Sequence, residues 1–142
     1  MRQAHGTIQL RTPGRGLHPF QREVERWLSE TARPGPGGGL LTLFIQHTSA
    51  SLLVQENADP GVRTDLDRWL SRLVKDGDPL FEHTAEGPDD MPAHVRAALT
   101  QTQLSIPVTG GRMALGTWQG LYVFEHRTRG HHRTIALHYL GD

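Results

Sequence analysis

Leu40-Leu41-Thr42-Leu43-Phe44-Ile45-Gln46-His47-Thr48-Ser49-Ala50-Ser51 is the stretch on which the reading of this chain turns. An apolar run leads directly into an imidazole and three hydroxyls. The run predicts a buried strand over Leu40–Gln46. Polar groups in a strand interior each need a partner, so His-Thr-Ser-x-Ser suits a strand end facing a cleft. Ala50–Gln55 predicts a second strand after a tight connection. Glu56 and Asn57 follow it, either capping the next helix or facing the same cleft as His47.

Outward from this stretch, Gln3–Arg11 alternates as a strand and Thr12–Gly16 turns. Pro19 is a good first helical residue, with Phe20, Val24, Trp27 and Leu28 on one helical face. Arg33–Gly39 is a loop by composition. On the other side, Asp59 predicts an N-cap and Pro60 the first helical position, with Val62, Leu66, Trp69, Leu70 and Leu73 marking the apolar face. A polar loop over Leu80–Asp90 precedes a short helix, Met91–Leu99, that carries His94. Strands are predicted over Gln103–Val108, Met113–Leu115, Leu121–Glu125 and Arg133–Leu140. Seven strands, with neighbours joined by short turns, predict an α+β domain with a mainly antiparallel sheet, and 142 residues fit one domain.

Composition narrows the chemistry. Formal net charge is zero, which disfavours general attraction to nucleic acid or anionic membrane. No apolar run is long enough for a transmembrane helix. The chain has no cysteine, which removes disulfides, thiolate catalysis and zinc–thiolate sites and suits a cytoplasmic protein. Nine histidines are many for this length, and histidine is both the commonest metal ligand and the usual acid–base group near neutral pH.

Three clusters stand out. The first is His47 to Asn57. No Gly-x-Ser-x-Gly elbow surrounds Ser49 or Ser51, so a ligand-binding hydroxyl fits better than a nucleophile; local backbone bonding is the plainer alternative. The second, Glu82 to His94, holds several carboxylates with His83 and His94, and reads either as a ligand set or as a solvated acidic loop. His83 and His94 are too far apart for a one-turn His-x-x-x-His motif. The third runs from Gly116-Thr117-Trp118-Gln119-Gly120 to Glu125-His126-Arg127. Arg127, Arg129, His131, His132 and Arg133 make a basic run expected at a solvated hairpin tip, with phosphate binding as the alternative.

With these residues in view, the sequence resembles the YjbQ family, also described as secondary thiamine-phosphate synthases. The resemblance runs from about Arg15 to the end. It rests on Gln46–Leu52, Glu56-Asn57, Asp59-Pro60, Glu86–His94, Gly111-Arg112, the Gly116–Gly120 pentapeptide and Glu125–Arg127; Pro88 departs from the usual family residue. It implies two packed, mainly antiparallel sheets of about seven strands, helices outside, and a homotrimer. The implied site holds His47, Ser49, Glu56, Glu82, His83, Asp90, His94, Arg112, Thr117, Gln119 and Glu125.

The implied activity joins a pyrimidine pyrophosphate to a thiazole phosphate with loss of pyrophosphate. On that mechanism His47, Glu56, Asp90 and Glu125 are expected in catalysis, and Thr48, Ser49, Arg112, Thr117, Gln119 and Arg127 on substrate or phosphate. His47, His83 and His94 are expected to hold a divalent metal, zinc if imidazoles dominate and Mg²⁺ if carboxylates do. A metal- or phosphometabolite-binding trimer without turnover, or a metal-dependent hydrolase, are the alternatives.

Overall fold

The computed structural model describes every residue from Met1 to Asp142. In chain order the elements are β1 (Arg2–Arg11), β2 (Gly16–Pro19), α1 (Gln21–Thr31), β3 (Gly38–Ile45), β4 (Ala50–Glu56), α2 (Pro60–Leu73), α3 (Asp90–Leu99), β5 (Gln103–Thr109), β6 (Arg112–Met113), β7 (Gln119–Glu125) and β8 (His132–Gly141). Two sheets form, in the orders β1-β8-β3-β5-β6 and β2-β7-β4. Every pairing is antiparallel. The expected α+β fold of two antiparallel sheets with outer helices is present. The additional strand is β2, and Pro19 ends it rather than opening α1.

The sheets face each other across the main core. Leu41, Leu43 and Ile45 of β3, Ile135, Leu137 and Tyr139 of β8, and Ile106 and Val108 of β5 point inward from the larger sheet. Ala50, Leu52, Leu121 and Val123 meet them from the smaller sheet, and Phe20, Val24 and Leu28 close the layer from α1. A second, smaller core lies on the other face of the three-stranded sheet. There Tyr122 and Phe124 pack with Leu70 and Val74. Buried on both faces, β7 is the central strand of its sheet.

Two expectations change here. β3 is buried on one face only, since Leu40 and Phe44 are 43% and 46% exposed. No helix lies over that face of the larger sheet, and antiparallel sheets tolerate one solvated side. On α2, Leu70 is buried but Trp69 and Leu73 are exposed, so its apolar stripe is broader than the surface it covers. Its start is as expected: the Asp59 carboxylate accepts from the Gly61 amide at 2.8 Å, and Pro60 is the first helical residue.

The edge of the larger sheet beyond β5 is short. β6 pairs with β5 only at Val108–Met113 and Thr109–Arg112, across a turn whose Gly110 and Gly111 have φ of 59° and 80°. Two consecutive positive φ values define the tight hairpin turn that glycine favours. Further along β5, the Pro107 carbonyl accepts from Ala114, so the position where Pro107 lacks an N–H also faces the outer edge.

This arrangement gives a direct contrast along β3. Leu43→Ala should cost about 2–5 kcal/mol of stability by opening a core cavity, whereas Thr42→Ala, one residue away on the other face, should stay within about 0.5 kcal/mol. Urea denaturation midpoints of the two variants check it.

Candidate metal centre

The site begins at the first turn of α3. Asp90 and His94 are four residues apart and therefore share one helical face. The Asp90 side chain is 3% exposed, and its Oδ2 lies 3.3 Å from His94 Nε2. The preceding loop folds back so that His83 Nε2 lies 2.7 Å from the same Oδ2. Glu86 stands further out, 3.5 Å from His83 Nε2. One ligand atom from each of His83, Asp90 and His94 falls within 4.8 Å of the other two. These three residues form a site able to hold a divalent metal ion.

The neighbours orient this set. His94 Nδ1 donates to the Thr48 carbonyl at 2.9 Å, which leaves Nε2 as its free lone pair toward Asp90. Such a bond to the far ring nitrogen is the usual support of a metal-ligating histidine. Arg127 Nη1 donates to Asp90 Oδ1 at 2.8 Å and Arg127 Nε to Asp89 Oδ2 at 3.0 Å. Asp89 also accepts from the amide and hydroxyl of Thr128. Burial alone would raise both carboxyls; the bond from Thr128 and the Arg127 charge hold Asp89 well below the usual range. For Asp90 the bond from His83 leads the effects that outweigh burial. Asp90 thus keeps one oxygen on Arg127 and offers the other to the imidazoles. Beside His83, a recess of about 320 Å³ is lined by Phe81, Pro88, Met91 and Pro92 among others.

His47, expected as the third histidine ligand, is not in this group; Asp90 takes that place. The Thr134 amide donates to His47 Nε2 at 2.8 Å. Burial first, and then the Arg133 charge, lower the His47 pKa, so the ring is neutral and its acceptor nitrogen is occupied. Glu125, expected in catalysis, is wholly buried. It accepts from Thr12 Oγ1 at 2.6 Å, Arg133 Nε at 2.9 Å and the Arg127 amide at 3.2 Å. Although burial pushes its carboxyl up, the bond from Arg133 leads those that carry it below the usual range. Ser49 Oγ accepts from Arg133, while Thr48 is exposed and engages the centre through its carbonyl. Arg127, expected on phosphate, is spent on Asp89 and Asp90. Arg133, expected at a hairpin tip, is buried between the sheets.

The remaining expected residues lie elsewhere. Ala50 pairs with Glu125 at one end of the β4–β7 ladder, and Glu56 pairs with Gln119 at the other. Six residue steps separate the ends, about 20 Å. Glu56, Arg112, Thr117 and Gln119 therefore do not join the metal centre within one chain. Glu56 instead accepts from the Asp59 amide at the start of α2, and Glu82 is exposed in the loop before His83.

One residue missed by sequence reasoning, Arg96, organises the interior together with His126. Arg96 is fully buried. It donates to Asp67 at 2.6 Å, Ser71 at 2.9 Å and His126 Nδ1 at 3.1 Å. Arginine only donates, so His126 carries its proton on Nε2 and donates to Ser51 Oγ across 2.8 Å. Ser51 is therefore not activated by His126 as a base. Burial, followed by the charges of Arg96, Arg15 and Arg133, pushes His126 down to about 3. The missed clue to the metal centre itself was Asp90-x-x-x-His94, a one-turn spacing with a carboxylate in place of the first histidine.

Residues 6–142 match the family profile described as UPF0047 protein YjbQ-like. The chain belongs to the YjbQ family. It is 44% identical over 141 residues to the UPF0047 protein sll1880 of Synechocystis, covering 99% of this chain and 94% of that one. It is 42% identical over 136 residues to the UPF0047 protein YjbQ of Escherichia coli O157:H7, covering 96% of each. Among solved structures, the hypothetical protein APE1520 from Aeropyrum pernix aligns over 100% of both chains, with a TM-score of 0.81 and 31% identity. The conserved hypothetical protein TT1486 from Thermus thermophilus gives 0.80 and 32%, covering 93% of this chain and 97% of that one. The family assignment agrees with the sequence resemblance and with the fold.

The buried neutral His126 sets a pH dependence. Its folded pKa lies below the unfolded value near 6.5, so between those two values the unfolded state binds more protons and acid favours unfolding. This contribution is complete above about pH 6.5 and shrinks as pH falls toward 3. Lowering pH from 7 to 5 should remove about 2 kcal/mol through this group. Urea unfolding at the two pH values, beside the same pair for His126→Gln, would show it: the wild-type loss should exceed that of the variant.

Proposed function

We propose that the protein is a divalent-metal enzyme of the hydrolase type, with His83, Asp90 and His94 as ligands and the Phe81–Met91 recess as substrate pocket. The observation that carries this is the convergence of three ligand atoms, with His94 and Asp90 already braced from outside by Thr48 and Arg127. Two imidazoles and one carboxylate suit zinc or another late first-row ion better than Mg²⁺, which favours oxygen ligands. Three protein ligands are the number that catalytic zinc sites use while keeping an open position. A metal held there supplies Lewis-acid polarisation and lowers the pKa of bound water. The chain's own part is to fix His94 in one tautomer, hold Asp90 through Arg127, and shelter the substrate's apolar portion.

Thiamine-phosphate synthesis is a second proposal, resting on the family resemblance. It needs cations for the departing pyrophosphate. Arg127, Arg133 and Arg15 are each paired with carboxylates, and Arg112, which takes part in no ion pair, does not join the metal centre within one chain, which favours the hydrolytic reading at that centre. A binding protein without turnover is the third. Purified protein should take up about one zinc per chain. His94→Ala and Asp90→Asn should lose it, and Arg127→Gln should weaken it about 10–100-fold. Metal analysis and zinc titration measure this, and equal zinc affinity in wild type and His94→Ala would sink the proposal. Hydrolysis of 4-nitrophenyl esters and phosphates by the zinc-loaded chain separates enzyme from binding protein.

We also propose a homotrimer, supported by the uncovered sheet face that exposes Leu40, Phe44 and Leu140. Sedimentation equilibrium should give three times 15.8 kDa for wild type and a smaller species for Phe44→Asp. A monomeric wild type at micromolar concentration would remove the trimer.

A further inference from the structure

A groove of about 700 Å³ opens between α1 and the Gly110–Gln119 segment. That volume is within the range of small-molecule sites. Leu28, Met113 and Leu115 contribute apolar surface, Glu25 stands on the α1 wall, and Arg112 and Thr117 stand on the opposite one. The metal-centre residues do not line it.

Its polar groups are unevenly committed. Arg112 takes part in none of the ion pairs, whereas the other arginines near the protein's polar interior all hold carboxylates. Glu25 Oε1 accepts from Gln21 at 2.8 Å. The loop bearing Thr117 is held rigidly from both sides. The Asn57 amide donates to the Trp118 carbonyl at 3.0 Å, and its side chain donates to the Thr117 and Gln119 carbonyls at 3.4 and 3.2 Å. Gln119 Oε1 in turn accepts from the Gly116 amide at 2.7 Å. A concave apolar floor, an uncompensated guanidinium and a braced wall are the ingredients of a binding site. The charge of Arg112 suits an anion, and the floor suits an apolar body attached to it.

We propose that this groove is a second ligand site, distinct from the metal centre, that binds a small organic anion. Its phosphate or carboxylate engages Arg112 and its apolar body rests on Leu28, Met113 and Leu115. Glu25 on the facing wall favours a ligand whose far end donates a hydrogen bond. The site does not depend on the metal reading.

Isothermal titration with 1-naphthyl phosphate, 1-naphthoate and 1-naphthol tests it. At least one anion should bind wild type and His94→Ala with equal affinity. It should bind Arg112→Ala about tenfold or more weakly, with partial recovery in Arg112→Lys, and naphthol should bind more weakly than the anion. Binding by both anions indicates that the site takes phosphate and carboxylate alike; binding by one alone narrows the class to phosphate monoesters or to carboxylates accordingly. Arg112 is exposed, and matching thermal melts verify that its variants are folded. Absence of binding by either anion at millimolar concentration, unchanged binding in Arg112→Ala, or loss of binding in His94→Ala overturns the second site.

Discussion

Glu125 and Arg133 form an ion pair buried between the two sheets, and the arrangement of the protein's polar residues follows from its needs. Glu125 belongs to β7 and Arg133 to β8, strands of different sheets. Removing two charges from water costs several kcal/mol per ion unless their hydrogen-bonding capacity is filled. Thr12, Arg127 and Ser49 fill it, and to do so the ends of β1, β4 and β7 must gather at one place. No buried side-chain polar atom is left without a partner. The pair therefore acts as a register pin between layers, and it consumes groups that would otherwise have faced a ligand.

The end of β7 shows how one short segment serves three environments. Glu125, His126 and Arg127 are consecutive, and successive strand side chains turn to opposite faces. Glu125 enters the gap between sheets, His126 meets Arg96 on the helical side, and Arg127 at the strand's exit reaches Asp89 and Asp90. A continuous hydrogen-bonded scaffold thus joins the buried pair to the metal centre, and its last donor holds Asp90.

Much of the fold was legible because its signals are local. Asp59-Pro60 marked the start of α2, and alternation marked β8. The one-sided burial of β3 was not legible, since Leu40 and Phe44 look like core in sequence and become exposed only because no later element covers them. The site was legible as a list of residues but not as a geometry. His83, Asp90 and His94 were all named, yet Asp90 rather than His47 joins the two imidazoles in the candidate metal cluster, and the Thr134 amide, remote in sequence, occupies the His47 nitrogen. Glu125 and Glu56 looked equivalent; the β4–β7 register puts them at opposite ends of one ladder. Arg96 carried no local signal at all: a basic residue on an amphipathic helix is ordinarily solvated, and only the position of Asp67, His126 and Ser71 explains its burial.

The short outer edge of the larger sheet has a consequence for how such a chain behaves in company. A strand with free amides along its rim invites another chain to add on as a further strand. Along β5, Pro107 removes the amide at an outward position, and the stub of β6 with its tight glycine turn occupies the next ones. Edge-on growth is blocked at that rim. The rim thereby protects a cysteine-free, charge-neutral protein from open-ended stacking without calling on net repulsion.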